Sequence, residues 1–156
     1  MPRLSLAIIS VVLFGIMSPA IAGDQGGAQG CQPHGTWLGF DENGVTQWMS
    51  SVYGQSSSSG LNHLELPGFD YTLGGAFPDA VKGSMLRGVW ERVDGDEFDF
   101  TMLGIIVDQS GATQWTLKVS GHVTLVDGCS REYVENTLEV YLPGMNPLQD
   151  ATDDGE

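Results

Sequence analysis

Apolar and polar residues alternate along much of the chain after residue 34, and this pattern predicts β-strands. The clearest run covers residues 113–126, where most positions on one face are apolar and the opposite face is polar. The apolar positions of this run are Trp115, Leu117, Val119, Val123 and Leu125. A strand with one buried and one solvated face produces such a period of two. Further strands are predicted over residues 37–40, 45–53, 61–66, 85–93, 96–108 and 131–142.

Turn signals separate these runs and indicate how the strands connect. Pairs in which Asn, Asp or Ser precedes Gly occur at 43–44, 94–95, 110–111 and 127–128, and Asx-Gly pairs suit the tight turns of β-hairpins. No stretch after residue 22 keeps a 3.6-residue period, so we predict an all-β fold built as an antiparallel meander. The longest strands favour closure into a roughly eight-stranded barrel, because closure removes exposed strand edges. A two-sheet β-sandwich is the alternative architecture.

The N-terminal 22 residues have the pattern of a secretory signal peptide. Arg3 precedes an uncharged, mostly apolar run over residues 4–17, and Ala20-Ile21-Ala22 supplies small residues for cleavage. The apolar run is shorter than the ~20 residues that a membrane-spanning helix needs. We therefore expect cleavage after Ala22, no membrane span in the mature chain, and export to the periplasm or the extracellular space. The expected organisation is a signal peptide over 1–22, a flexible lead-in over 23–33, a β-barrel domain over 34–145 and an acidic disordered tail over 146–156.

The charge of the chain restricts its partners. It has 20 acidic and 6 basic residues among 156, with a formal net charge of −14. This charge opposes binding to nucleic acid and to anionic lipid, because their phosphate groups are repelled. We expect no nucleic-acid partner, a small hydrophobic molecule as the possible ligand, and a monomer or weak dimer.

Cys31 and Cys129 are the only cysteines of the chain. An even number of cysteines in a small exported domain predicts a disulfide bond, because the compartment is oxidising. A reactive thiol is the alternative, and it would need an activating neighbour that no motif supplies.

Motifs for metal binding, cofactor binding and catalysis are not found in the sequence. His34, His63 and His122 are scattered and lack the spacing of metal ligands, so no metal site and no cofactor are expected. The acidic turn over residues 94–99 is interpreted as a charged hairpin tip, with weak calcium binding as the alternative. The chain has no nucleophile elbow, phosphate loop or dinucleotide fingerprint, so no catalytic residue is assigned.

Several short segments resemble lipocalin-like barrels. Gly35-Thr36-Trp37 matches the Gly-x-Trp that begins lipocalin and related calycin barrels. Segments 87–92, 98–101 and 119–125 are similar to those of small exported bacterial proteins with lipocalin-like barrels, so the resemblance covers roughly residues 34–142. It implies a cup-shaped barrel that binds a small, mainly apolar molecule, with Trp37 closing the barrel floor. Allene-oxide-cyclase-like barrels, some of them cyclases or isomerases, are similar in size and strand content.

Aromatic residues on the predicted strands, together with one amide, are the candidates for lining a ligand site. The candidate ligand-binding residues are Trp48, Trp90, Phe98, Phe100, Trp115 and Asn136. Ligand sites are mostly apolar with a few placed polar groups, and Asn136 is the one polar residue between Val134 and Leu138 on its strand face. The alternative is that the aromatic side chains only fill the interior.

Three functions are compatible with this pattern. The first is an exported lipocalin-like barrel that binds a small hydrophobic or amphipathic molecule in its interior. The second is a cavity enzyme on the same barrel, an isomerase, cyclase or dehydratase, and the third is a filled barrel with a structural or interaction role. An enzyme needs an inward-facing ionisable residue, and strand parity predicts none on the inner faces of the three clearest runs. We therefore favour a binding protein over an enzyme.

Overall fold

A computed structural model describes residues 18–19, 31–40 and 46–148. Within these ranges the regular structure is entirely β, and no helix is long and apolar enough to cross a membrane. The strands are β1 (Ser18–Pro19), β2 (Gly35–Phe40), β3 (Thr46–Gly54), β4 (Ser59–Glu65), β5 (Lys82–Gly83), β6 (Leu86–Asp94), β7 (Glu97–Val107), β8 (Thr113–Val126) and β9 (Arg131–Tyr141).

These strands form one antiparallel sheet with the order β1-β2-β3-β4-β6-β7-β8-β9. Consecutive long strands are neighbours, as in a meander. The short β5 pairs with Ile106 and Val107 at the end of β7, whereas β6 pairs with β7 only as far as Leu103. The sheet is strongly curled into a half-barrel. The prediction of an all-β, barrel-like fold is confirmed. The two-sheet sandwich is not formed, because every described strand belongs to the same sheet.

Three of the four predicted turns lie where long hairpins bend. Gly95 joins β6 to β7 with a φ of 40°, Gly111 lies between β7 and β8 with a φ of 87°, and the turn from β8 to β9 places Asp127 and Gly128 at φ angles of 52° and 67°. These positive φ angles explain why Asx-Gly pairs stand there, because glycine and the short Asx side chains tolerate them best. The pair at 43–44 lies outside the described residues.

Alternate residues of each long strand face the inside of the curl. On β8, Trp115, Leu117 and Val119 are almost fully buried, as the period of two predicts. On β7 the inner face carries Phe98, Phe100, Met102 and Ile106, which are also buried. The core of the protein is therefore the concave side of one sheet.

One end of the curl, which we call the disulfide end, is closed by residues 31–34. Cys31 and Cys129 form the predicted disulfide bond, with their Cα atoms 5.4 Å apart. The Cys31 amide donates to Asp96 Oδ1 at 2.7 Å, and Arg92 Nη2 donates to the Cys31 carbonyl at 2.7 Å. The indole of Trp37, only 2% exposed, donates to the Pro33 carbonyl at 2.9 Å. Cys31 and Pro33 belong to the predicted lead-in of residues 23–33, and these bonds connect them to the sheet.

The opposite end is crossed by residues 66–80, which we call the cover loop. Phe69 and Phe77 pack against the Trp115 indole with ring centroids 6.4 and 5.9 Å away. The Trp115 Nε1–H donates to the Tyr71 carbonyl at 3.2 Å. Asp70 organises the loop by accepting hydrogen bonds from the Thr72 and Gly74 amides. The cover loop has no regular secondary structure and is held by its aromatic side chains and turns.

The two outer strands of the sheet are not joined by a backbone ladder. β1 lies within the predicted signal peptide and pairs with Trp37 and Leu38 of β2. Among the described strands, none pairs with β9 other than β8. The remainder of the predicted signal peptide with its cleavage site, the lead-in before residue 31 and the tail from residue 149 lie outside the described residues.

Candidate functional site

The concave side of the curled sheet holds a cavity of about 300 Å³ that is open to solvent. β3 and β4 form one side of the cavity, β8 and β9 form the other, and β7 lies between them. Residues 66–70 of the cover loop lie across one opening. Binding sites for small molecules have volumes of roughly 300–1,000 Å³, so the cavity is large enough for a small ligand.

Most of the cavity wall is apolar. Phe100 and Met102 contribute from β7, Val119 and Val123 from β8, and Leu138 from β9. Gly121 also belongs to the inner face of β8, between Phe100 and Asn136 in the sheet. A Cβ atom built on Gly121 would lie 2.1 Å from the Glu135 carbonyl oxygen. The close backbone approach excludes a larger residue there, so the wall beside Asn136 carries no side chain at this position.

Three of the six predicted ligand-binding residues line the cavity, and the other three do not. Trp48, Phe100 and Asn136 lie in its wall. The remaining three, Trp90, Phe98 and Trp115, are buried away from it, and the Trp90 and Phe98 rings pack edge to face with centroids 5.5 Å apart. Strand parity assigns a side chain to the inner face but does not give its height along the barrel. Trp90 and Phe98 lie towards the disulfide end and Trp115 lies under the cover loop, where they fill the interior.

Asn62 and Ser50 line the cavity as well, and sequence reasoning missed both. Asn62 is 9% exposed and Ser50 is 4% exposed. Asn62 has the same strand parity as the buried Leu64, which is the signal that identifies its inward orientation. Its short strand follows a polar serine loop, so the pattern did not distinguish the inner face from the outer one.

Two amide oxygens at the cavity lack hydrogen-bond partners. The Oδ1 atoms of Asn62 and Asn136 are covered from solvent, and neither accepts a hydrogen bond within the described part of the chain. Buried polar groups are rarely left unpaired, because the loss of hydration is then uncompensated by about 1–3 kcal/mol each. Because these atoms expose almost no surface, a molecule in the cavity contacts them only after the side chains rotate.

Glu132 corrects the expectation that the inner faces carry no ionisable residue, which was wrong. It has the same parity on β9 as Val134, and it is only 5% exposed. Burial raises the pKa of its carboxyl to about 8, because the charged form loses its hydration. It does not line the cavity; it pairs with Leu125 next to the β8–β9 turn, at the disulfide end.

Asp70 is the one ionisable side chain among the described residues that line the cavity. It is exposed at the rim, and hydrogen bonds from Thr72 and Gly74 hold the pKa of its carboxyl below the ordinary value. A single ionised carboxylate whose oxygens already accept hydrogen bonds is a weak candidate for proton transfer. General acid–base catalysis needs a group with a pKa near the working pH that reaches the substrate.

Neither His122 nor the acidic turn over residues 94–99 lines the cavity. In the described ranges no group of three or more His, Cys, Asp or Glu residues is arranged to hold a metal ion. His122 lies on the outer face of β8, with its Nδ1 atom 2.8 Å from Asp99 Oδ1. In the acidic turn, Asp96 is engaged with the Cys31 amide at 2.7 Å. The turn thus anchors the chain that closes the disulfide end.

In comparisons with known proteins, no family model, no curated protein and no solved structure matched this chain. The function is therefore argued from the cavity and its chemistry. The resemblance to lipocalin-like barrels rests on short sequence segments, namely Gly35-Thr36-Trp37 and residues 87–92, 98–101 and 119–125. The Cys31–Cys129 disulfide itself indicates that the protein folds in a non-reducing environment.

Proposed function

We propose that this protein is an exported, lipocalin-like binding protein that holds one small, mainly apolar molecule inside its curled sheet. The observation that carries the proposal is the apolar cavity of about 300 Å³ with Asn62 and Asn136 in its wall. Export places the protein in the periplasm or outside the cell, in agreement with the disulfide and the predicted leader.

A space of this size is uncommon in a protein interior. Interiors are packed as densely as organic crystals, and gaps larger than a water molecule are few. The cavity of about 300 Å³ has a mostly apolar wall with a few polar groups, as ligand sites have, and these features support a binding role.

The energy available for binding comes mainly from burial of apolar ligand surface. Each Å² removed from water contributes roughly 25 cal/mol. A ligand that buries about 200 Å² would therefore gain on the order of 5 kcal/mol before the loss of its translational freedom. The expected affinity is that of a carrier which takes up and releases its ligand.

The two alternative functions receive less support from the cavity. An isomerase, cyclase or dehydratase needs an acid or base in contact with the substrate, and Asp70 at the rim is the only ionisable group in the described lining. A filled structural barrel is supported by Trp90, Phe98 and Trp115, which pack the ends. The centre between them is open, which favours binding of a small molecule.

Narrowing the cavity will weaken binding of a neutral apolar probe. Val123 lines the cavity on β8, and Val126 lies on the opposite face of the same strand. We expect N-phenyl-1-naphthylamine to become fluorescent with the wild-type, oxidised protein and with the control V126F. With V123F the phenyl ring takes up part of the space, so the probe is expected to bind several-fold more weakly than to V126F.

Circular dichroism and thermal melting of the three proteins show whether each variant folds. A folded V123F protein that binds the probe as tightly as wild type would contradict the proposal. Equal loss of binding in V123F and V126F would also contradict it, because the probe would then occupy a site on the surface.

A further inference from the structure

We propose that the outer face of the sheet at β3, β4 and β6 binds a second copy of this chain, so that two copies pair there about a twofold axis. This surface lies on the side of the sheet opposite the cavity, so its use is independent of the proposed binding function. Three exposed apolar side chains define the surface, and the charges that flank them define its partner.

The three apolar side chains form a continuous row on the outer face, which we call the outer row. Tyr53 on β3 lies opposite Leu61 on β4, and Leu61 lies opposite Val89 on β6. Their exposed fractions are 53%, 38% and 51%. Opposite residues of antiparallel strands are roughly 5 Å apart, so the three side chains contact one another. Single exposed apolar residues are ordinary, whereas contiguous ones point to a surface that a partner covers.

Opposite charges flank the outer row on β6. Arg87 and Glu91 lie two residues before and two residues after Val89, on the same face of the strand, and both are exposed. Within the described part of the chain, neither of them makes an ion pair. Four residues of extended strand separate them by about 13 Å, so they do not pair with each other. Both charges are therefore free for a partner molecule.

This arrangement is complementary to a second copy of itself. We consider a twofold axis that lies along the outer row, perpendicular to the strands, between two facing sheets. The two β6 strands then run antiparallel, and Val89 of one copy meets Val89 of the other. Arg87 of each copy faces Glu91 of the other copy, so the ion pair forms twice. Twofold contacts of this kind, in which one patch pairs with itself, are the commonest in homo-oligomers.

The neighbouring strand β4 fits the same axis. Leu61 lies between Ser59 and His63 on the outer face, and these two residues are the cross-strand partners of Glu91 and Arg87. About the axis, Leu61 meets Leu61 and His63 of one copy faces Ser59 of the other. No two like charges face each other on β4 or β6, so apolar contact and charge agree on both strands.

The expected dimer is weak and reversible. Two convex faces touch over a small area, and stable interfaces bury roughly 1,600 Å² in total. The formal net charge of −14 on each chain also opposes association, although salt at physiological concentration screens this repulsion beyond about 8 Å. The dimer is therefore expected to form at high protein concentration, with the contacts of the outer row providing its specificity.

Sedimentation equilibrium of the oxidised protein at concentrations up to about 1 mM measures the association. We expect the wild type to show a reversible equilibrium between monomer and dimer. The charge reversals R87E and E91R are each expected to weaken dimerisation at least about tenfold, because two like-charge contacts replace two ion pairs. The matched controls R131E and E135R make the same changes of net charge at exposed positions of β9, and are expected to dimerise within about twofold of wild type.

A mixture of the two charge-reversal variants tests the twofold arrangement itself. In a mixed dimer, the two acidic side chains of R87E face the two basic side chains of E91R, so both ion pairs are restored. We therefore expect the mixture to associate about as tightly as wild type, and the double variant R87E/E91R to do the same. A structural defect in either variant would not be repaired by mixing.

Three results would overturn the proposal. The first is a wild-type protein that stays monomeric over the whole concentration range, and the second is dimerisation of R87E and E91R equal to that of R131E and E135R. The third is a mixture that associates no better than its components. Circular dichroism shows whether each variant folds. If a charge reversal does not fold, V89S shortens an exposed side chain of the outer row and is expected to weaken dimerisation several-fold, and unchanged dimerisation of V89S would also overturn the proposal.

Discussion

Replacing Glu132 with Gln will raise the free energy of unfolding by about 3 kcal/mol at pH 7 and by almost nothing at pH 4. Burial at the disulfide end raises the pKa of the Glu132 carboxyl from its ordinary value of 4.5 to about 8. At pH 7 the unfolded chain has lost this proton and the folded protein keeps it. Folding must then take up a proton, which opposes folding, and the neutral amide of Gln avoids this requirement.

The direction of the pH dependence follows from the raised pKa. Between pH 4.5 and about 8 the folded state binds more protons than the unfolded state, so the Glu132 contribution becomes less favourable as pH rises. Below pH 4.5 both states are protonated, and the penalty vanishes. Across the whole window the change amounts to about 5 kcal/mol. Asp70 and Asp108 have lowered pKa values, so their contributions are lost at acid pH in wild type and variant alike.

Urea unfolding of the oxidised protein at pH 4, 6 and 8 measures this effect. The matched control is E135Q, because Glu135 lies on the same strand but is exposed on the outer face. We expect the difference between E132Q and wild type to increase with pH, and the difference for E135Q to stay small. A stabilisation by E132Q that is the same at all three pH values would contradict the burial of an uncompensated carboxyl.

Removal of the disulfide will lower the free energy of unfolding by roughly 4–5 kcal/mol. Cys31 and Cys129 are 98 positions apart in the sequence, so the bond restricts a long loop of the unfolded chain. In the folded protein it ties the segment before β2 to the turn between β8 and β9. These are the two sides of the half-barrel, and among the described strands no backbone pairing joins β2 to β9.

The double variant C31S/C129S and wild-type protein, each unfolded with urea with and without reductant, test this prediction. Reductant is expected to shift the midpoint of wild type towards that of the variant, and to leave the variant unchanged. A difference of less than about 1 kcal/mol between oxidised wild type and the variant would mean that the hydrogen bonds of Arg92 and Asp96 to Cys31 hold this end without the disulfide.

The alternating strands were the most predictable part of the structure. β8 covers the predicted residues 113–126, because one of its faces is buried along nearly its whole length and selection for apolar residues there produces a regular period. The pairing of Cys31 with Cys129 was also predictable, because only one pair exists. The first inference uses only the residue pattern of one strand, and the second uses only the number of cysteines in the chain.

The cavity was only partly predictable, because it depends on where side chains lie along the barrel. Phe98 and Phe100 have the same parity, yet only Phe100 lines the cavity. Glu132 was overlooked because a charged residue ordinarily marks a solvated position, although its parity matches that of Val134. The cover loop has no period, so its packing over Trp115 follows from tertiary contacts that a linear pattern does not contain.

The most direct test of the central claim is a methyl NMR spectrum of the protein during titration with 1-decanol. Val119, Val123 and Val134 line the cavity, whereas Val89 and Val93 are exposed, with 51% and 56% of their surface accessible. If the cavity binds the ligand, the methyl signals of the first three valines will shift and saturate together, and those of Val89 and Val93 will stay in place. Shifts confined to Val89 and Val93, or no shifts up to the solubility of decanol, would contradict a binding site inside the curled sheet.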